Sequence, residues 1–316
     1  MNNISTNRWE ESGLDDLEIV TLPEASTITG IPTENFREVV IRAVRNHIKI
    51  LDTKVGKILK NAPETSVTIV ETSAAAVFCV KQFNDRGLGH RIKGIFRKPQ
   101  GTRTFHNGAY LISHGIPAAT PLALAKKRHR GLVSIEWVIM ECMVNFRELD
   151  RYLLGKFEQG WSKEEQKCAV RQFGRFVGSL HSKGIFHSDL KTCNIMVSED
   201  MMEDTPDAGS EPSAPVEESV SLRFCLLDYD DVKFFGHIPM RKRVKNLAQI
   251  FLSTPSLLNK VERMRFLDEY ALHAGLRGSD RKRLAQDVMR KTLGRQILYV
   301  GFKGDVIETP HPQLPK

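Results

Sequence analysis

The chain has 316 residues and a mass of 35.8 kDa; 41% of the residues are apolar and 27% charged, with a formal net charge of +8. This excludes global disorder and leaves room for one large domain or two ordinary ones, each with a buried core. No apolar run approaches the roughly 20 residues that span a bilayer, and the first twenty residues are acidic without a hydrophobic signal segment, so export is not expected. The five cysteines, at 79, 142, 168, 193 and 225, form no C-x-x-C pair. That argues against a disulfide framework or a zinc knuckle, and for a reducing cytoplasmic setting.

The charge is uneven. Residues 199–219 hold eight acids and no Lys or Arg; outside them 46 basic residues face 30 acidic ones, a net +16. Such an acidic segment with Pro, Ser and Gly cannot bury enough apolar surface to order itself. It reads as a solvated, disordered insertion; an internal cover for a basic groove is the sharper alternative. Basic residues cluster at 126–130, 241–245 and 281–283. They suit an anionic partner. Aromatics are almost absent from these runs, so nucleic acid is not expected.

In chain order, residues 1–50 read as an N-terminal extension. Thr33 opens an amphipathic helix to Ile50 with Phe36, Val39, Val40, Val44, Ile48 and Leu51 at helical spacing. Short apolar or β-branched runs at 57–59, 67–70 and 76–80 predict strands. A helix is expected over Thr104–Ser113, ended by Gly115 and Pro117. Runs 121–125 and 135–142 predict a hairpin. After Met143 the pattern changes. Phe146–Leu154 reads as helical. Ser162 and Glu165 form a capping box for a long helix to about Lys183, with Ala169, Phe173, Phe176, Val177 and Leu180 as its buried stripe. Short strands follow at 185–186, 195–197 and 222–227, and residues 246–298 read as helical. The sum is an α+β layout: a lobe at 51–143 with an antiparallel sheet and one helix, then a mainly helical lobe at 144–316. A site is expected in the cleft between lobes.

Three pieces carry chemistry. Lys81 ends a hydrophobic strand. HisSerAspLeuLysThrCysAsn occupies 187–194. LeuLeuAspTyrAspAsp, at 226–231, ends another apolar strand. Phosphoryl transfer explains them jointly. A magnesium ion takes oxygen ligands, including one or two protein carboxylates plus phosphates, and Asn194 and Asp228 supply such oxygens. Asp189 can orient an acceptor hydroxyl and take its proton. Lys191 can reach the transferred phosphoryl group, and Lys81 can hold the α and β phosphates. Asp189 and Asp228 lie 39 positions apart; removing the 21 of the acidic segment leaves 18, enough for two strands and a tight turn. The acidic segment therefore reads as an insertion between those strands. Taken singly, Lys81 is a strand-end lysine, His187 a packed ring, Asp228 a turn residue and Tyr229 a packed aromatic. The specificity lies in their joint occurrence.

The 187–194 and 226–231 pieces resemble the catalytic loop and metal-binding segment of protein kinases. Over about 55–255 the chain resembles the lipopolysaccharide kinase family, the bacterial Kdo/heptose kinases of the protein-kinase-like superfamily. The segment 106–124 (HNGAYLISHGIPAATPLAL), the run 176–190 and ArgValLysAsnLeuAlaGln at 243–249 add to the likeness. The resemblance implies ATP and Mg2+ as cofactors, and a sugar hydroxyl of the lipopolysaccharide core or lipid A precursor as acceptor. It also implies a cytoplasmic protein working at the inner face of the inner membrane, where a basic body suits an anionic surface. Asp189 would be the catalytic base and Lys191 the phosphoryl-contacting lysine. Asn194 and Asp228 would be metal ligands, Lys81 the phosphate-holding lysine, and the backbone of Glu141 and Met143 the adenine partners.

The chain departs from the kinase pattern in four places. No glycine occurs between Gly56 and Gly87, so 60–66 must cover the phosphates. The helix 104–113 has no acid for Lys81, and Asn107 is the nearest polar residue. Ser188 replaces the arginine before the catalytic aspartate. Asp230 stands where a glycine permits backbone flipping. The first two departures favour a catalytically impaired nucleotide-binding scaffold as the alternative. A Ser/Thr protein kinase is the other, but no A-P-E segment is present.

Overall fold

The computed structural model describes residues 14, 16–72, 76–84, 98–200, 220–256, 258–301, 303 and 305–310. The chain divides into two compact units, Met1–Met143 and Val144–Lys316.

The first unit is built on one antiparallel sheet. Its elements are β1 (Glu18–Thr21), α1 (Ala25–Thr29), α2 (Thr33–Thr53), β2 (Lys57–Ala62), β3 (Thr65–Glu71), β4 (Val77–Phe83), α3 (Gln100–Ser113), β5 (Pro121–His129) and β6 (Leu132–Glu141). The strand order is β1-β5-β6-β4-β3-β2. Residues 18–50, within the stretch expected to be an extension, supply an edge strand and most of the helix α2, which runs on to Thr53. Glu18 of β1 holds Arg128 at 2.9 Å and Lys126 at 3.6 Å. Part of the 126–130 basic cluster is thus paired inside the fold.

α2 buries Phe36, Val40, Ala43, Val44 and His47. Val39, Ile48 and Leu51 are only half-buried. The stripe is rotated toward Ala43 and His47, which a reading of large apolar residues passes over. His47 Nδ1 lies 2.7 Å from Thr68 Oγ1 of β3. Burial lowers its pKa to about 4, so the ring is neutral near pH 7.

α3 begins at Gln100, four residues before the expected start. The reason is Glu136, a buried carboxylate on β6. It accepts from the Gly101 N–H (2.6 Å), the Thr102 N–H (3.0 Å) and Thr102 Oγ1. These are the amide donors that a first helical turn leaves unsatisfied. Burial outweighs these bonds and raises the Glu136 pKa. A Cβ on Gly101 would stand 2.7 Å from that of Glu136, so the contact requires glycine.

The second unit contains β7 (Arg147–Glu148), α4 (Leu149–Glu158), α5 (Lys163–Ser182), β8 (Ile185–His187), β9 (Ile195–Asp200), β10 (Ser221–Leu226), β11 (Val232–Phe234), α6 (Met240–Ser253), α7 (Lys260–His273), α8 (Gly278–Thr292), β12 (Gln296–Val300) and β13 (Val306–Pro310). α5 has the expected capping box: Ser162 and Glu165 bond reciprocally. Its stripe buries Ala169, Phe173, Val177 and Leu180, with Phe176 half-buried. Gly174 and Gly178 lie against the Phe266 and Tyr270 carbonyls of α7, where a Cβ would come within 2.8 Å.

Three expectations are corrected. The helix expected over 146–154 starts at Leu149, because Arg147 and Glu148 pair with Val197 and Met196 of β9. The helical reading of 246–298 gives way to three helices and a terminal hairpin, β12 with β13. α6 starts at Met240, just after Pro239. β12 is a strand with Ile297 fully buried between exposed Gln296 and Leu298, a period-two pattern. The hairpin is tied back through Asp150, whose Oδ2 accepts the Val300 N–H at 3.0 Å. Finally, Glu199 and Asp200 belong to β9, and Glu199 accepts from Tyr152 Oη at 2.8 Å. Asp200 is in register with Ser221 of β10, so the rest of the acidic segment connects two paired strands; residues 201–219 lie outside the described residues. Among the described residues no helix is long and apolar enough to cross a membrane.

Candidate active site

The loop from β8 to β9 is held by its own backbone and by α6. Gly184 turns the chain into β8 with φ +75°, and a Cβ there would stand 1.8 Å from the Phe235 carbonyl oxygen. His187 ends β8 and is 3% exposed. Its Nδ1 accepts the Asp189 N–H (3.2 Å), so the proton is on Nε2, which donates to the Leu227 carbonyl (2.9 Å). Burial lowers its pKa. The ring is a packed strut, as its sequence context indicates.

After His187 the chain folds back on itself. The Lys191 N–H donates to Asp189 O (2.9 Å), and the Asn194 N–H to Lys191 O (3.0 Å). Asn194 Nδ2 donates to Asp189 O at 2.8 Å. Thr192, fully buried, donates its N–H to Ser253 Oγ (2.9 Å) and its hydroxyl to Ser253 O (2.6 Å) at the end of α6. This fixes the Asp189 carboxylate. Its Oδ1 meets Lys191 Nζ at 3.1 Å and Gln249 Nε2 at 3.3 Å.

The Leu227 N–H donates to Asn194 O at 2.9 Å. That bond sets Asp228, the next residue, beside the loop. Asp228 is exposed and left-handed (φ +51°, ψ 44°), a conformation costing about 1 kcal/mol that Asp tolerates better than most residues. Tyr229 is 1% exposed, a packed aromatic, and Asp230 is buried. Ser188 donates its hydroxyl to Asp231 O at 2.5 Å. The structure thus brings Asp189, Lys191, Asn194 and Asp228 together within the second unit.

Magnesium suits this donor set. With the Asn194 amide nitrogen donating to Asp189 O, the oxygen its side chain can offer an ion is Oδ1; with the Asp228 carboxylate it gives an all-oxygen pair. Among the described residues no group of three or more His, Cys, Asp or Glu is arranged to hold an ion. The pair therefore fits a cation that arrives with phosphate oxygens rather than one caged by protein.

The other three predicted residues lie in the first unit. Lys81 lies inside β4, which runs two residues beyond the expected strand end to Phe83; it is in register with Val67 of β3 and Val138 of β6, and its Nζ is 5.2 Å from the Phe83 ring centroid. Glu141 ends β6; its N–H donates to Thr120 O at 2.9 Å. Met143 is the last residue of that unit. The Gly-free 60–66 stretch is the β2–β3 hairpin, with its turn at Pro63 and Glu64.

Sequence reasoning missed Asn246 and Gln249. Both appear in the 243–249 run, three positions apart and so on one helix face, which was the available signal. Arg243, part of the 241–245 basic cluster, is 3% exposed and donates to Ile238 O (3.1 Å) and Tyr270 Oη (3.2 Å). It is structural, not a surface charge.

An antiparallel sheet unit, a largely helical unit and a His-x-Asp-x-Lys-x-x-Asn loop backed by a strand-Asp define the class: a phosphotransferase of protein-kinase-like α+β fold. The chain belongs to the lipopolysaccharide kinase (Kdo/WaaP) family, whose model matches residues 88–270. The EKC/KEOPS complex subunit bud32 of Emericella nidulans is 34% identical over 77 residues, 19% of this chain and 27% of that protein. The chain thus spans about a quarter of the length of the curated relative it matches. A solved structure of WaaP in complex with acyl carrier protein is similar over 87% of this chain and 98% of that one, with a TM-score of 0.52 and 17% identity. The Rio2 kinase of Chaetomium thermophilum, solved with ADP/Mg2+-phosphoaspartate, covers 82% of this chain and 78% of its own at a TM-score of 0.38 and 14% identity.

Proposed function

We propose that this protein transfers the γ-phosphoryl group of ATP to a sugar hydroxyl of the lipopolysaccharide core, Kdo or heptose. The observation that carries this reading is the Asp189 carboxylate, held by Gln249 with Lys191 at 3.1 Å, in a chain of this family. Asp189 accepts the proton of the acceptor hydroxyl as the hydroxyl oxygen bonds to the γ-phosphorus and the bond from that phosphorus to the β-phosphate oxygen breaks, releasing ADP. Lys191 offsets charge on the transferred group. Asn194 Oδ1 and the Asp228 carboxylate would hold Mg2+, which would supply charge neutralisation at the phosphates. Lys81 pairs with the α and β phosphates, and the backbone of Glu141 and Met143 meets the adenine. The acceptor places the protein at the inner face of a bacterial inner membrane, where its basic residues meet anionic lipid.

The Gly-free β2–β3 hairpin and the absence of an acid from α3 favour a second reading, a nucleotide-binding scaffold with impaired transfer. One assay separates the two. Purified protein is incubated with MgATP and lipopolysaccharide from a kinase-deficient strain, beside Asp189→Ala. Transfer to glycolipid by the wild type alone supports the kinase. ATP-dependent thermal stabilisation without transfer supports the scaffold. Transfer to protein and not to glycolipid overturns the assigned acceptor.

A further inference from the structure

Hydrogen-bond directions around α6 are fixed by groups that can only accept or only donate. Asn246 Nδ2 lies 2.6 Å from the His187 carbonyl oxygen. A carbonyl only accepts, so the amide nitrogen must face it. Nδ2 also donates to Gln249 Oε1 at 2.9 Å, leaving Asn246 Oδ1 toward His181 Nε2 at 3.1 Å. That ring nitrogen therefore carries the proton, and His181 Nδ1 accepts from Tyr270 Oη at 2.7 Å. Tyr270 in turn accepts from Arg243 Nη1 at 3.2 Å.

Gln249 is oriented in the same way. Its Oε1 receives Asn246 and the Leu190 N–H (3.4 Å), and its Nε2 donates to Ser188 O (3.1 Å) and Asp189 Oδ1 (3.3 Å). The links run one way: Arg243 to Tyr270, to His181, to Asn246, to Gln249, to Asp189. A guanidinium, which only donates, begins the chain; a carboxylate, which only accepts, ends it. Arg243, Tyr270, His181 and Asn246 are all at most 3% exposed, so the bonds among these four are sheltered from water and polarise one another, while Gln249 is part-buried and the Asp189 side chain half-exposed.

We infer that Gln249 is a positioning residue for the phosphoryl-transfer base: as the last link of a one-way hydrogen-bond chain begun by Arg243, it holds Asp189 Oδ1, while Oδ2 faces Asn194 Nδ2 at 3.5 Å. The inference rests on the kinase reading of Asp189. It requires Gln249 to act on the orientation of the base, with nucleotide binding and folding untouched.

Gln249→Met keeps length and apolar bulk but removes both donor and acceptor. Expected is a fall in kcat of roughly tenfold or more, with the KM for ATP within about twofold of wild type and Tm within about 3 °C. Gln249→Glu sets a carboxylate oxygen against Ser188 O and Asp189 and falls further than the Met variant. A kcat within twofold of wild type for Gln249→Met overturns the inference. So does a loss that appears as a raised KM for ATP or as a matching drop in Tm. The 15N chemical shifts of His181 test the chain without any turnover: the Nε2–H tautomer supports it, and the Nδ1–H tautomer overturns it. A wild type that transfers no phosphate removes the kinase reading, and the His181 shifts then decide the direction of the chain by themselves.

Discussion

Asn246 donates its side-chain amide to the backbone carbonyl of His187 at 2.6 Å, across 59 positions of sequence. Both residues are buried, so α6 grips the strand that opens the 187–194 loop. Asn246→Ala leaves that carbonyl and the His181 N–H without this partner in a dry environment. Breaking such a contact costs about 2 kcal/mol, which for a chain of this size lowers Tm by roughly 4–8 °C. Differential scanning calorimetry checks this. An unchanged Tm would show that the loop does not depend on the helix.

Gly184 is the second fixed point. Its φ of +75° is open to glycine, and the Phe235 carbonyl oxygen lies 1.8 Å from where a Cβ would be. The partner atom is backbone, also bonded through the Phe235 N–H to Gly184 O at 2.8 Å, so it cannot move aside cheaply. Gly184→Ala is expected to destabilise the second unit by more than about 3 kcal/mol. Urea unfolding followed by tryptophan fluorescence tests it, since Trp161 belongs to that unit. A midpoint unchanged from wild type would count against the close approach.

Much of this was legible from residue pattern. The Ser162 capping box, the 187–194 loop between two short strands and the strand before Asp228 all announce themselves through local chemistry at fixed spacing. What was hidden depends on partners far away in sequence. Glu136 reads as one acid in an apolar strand, and only the fold shows that its carboxylate starts α3 four residues early. Asn246 and Gln249 are ordinary polar residues on a helix until His187 and Asp189 are placed against them. Ile297 is apolar in either a helix or a strand, and the reading failed there because a five-residue strand offers too few periods to separate the two. Arg243 counted as surface charge because composition cannot distinguish a buried guanidinium from a solvated one.

Acid should weaken both units. His47 in the first and His181 in the second have pKa values lowered by burial to about 4, from an ordinary 6.5. Between pH 6.5 and 4 the unfolded chain binds protons at these rings that the folded chain does not. Stability therefore holds above pH 6.5 and falls as pH drops through that window, by about 3 kcal/mol for each ring. Equilibrium unfolding at pH 7, 5.5 and 4.5 measures the slope. His47→Gln, which cannot protonate, flattens the part due to the first unit; an unaltered slope in that variant would remove His47 as a source.

Lys191 and Asp189 form an ion pair at 3.1 Å with side chains 49% and 50% exposed. At that exposure solvent and side-chain entropy cancel most of the Coulomb attraction, leaving about 0–1 kcal/mol. Stability alone therefore gives little reason for the lysine. In the proposed reaction the same amine would face charge that develops on the transferred phosphoryl group in the transition state, where losing one stabilising donor costs roughly 100-fold or more in rate. Lys191→Ala is expected to keep the unfolding free energy within about 1 kcal/mol of wild type while abolishing most phosphoryl transfer to the glycolipid. Calorimetry and the transfer assay on one preparation read both quantities. Stability falling in step with activity would make the lysine a structural partner of Asp189 instead of a contact to the phosphoryl group.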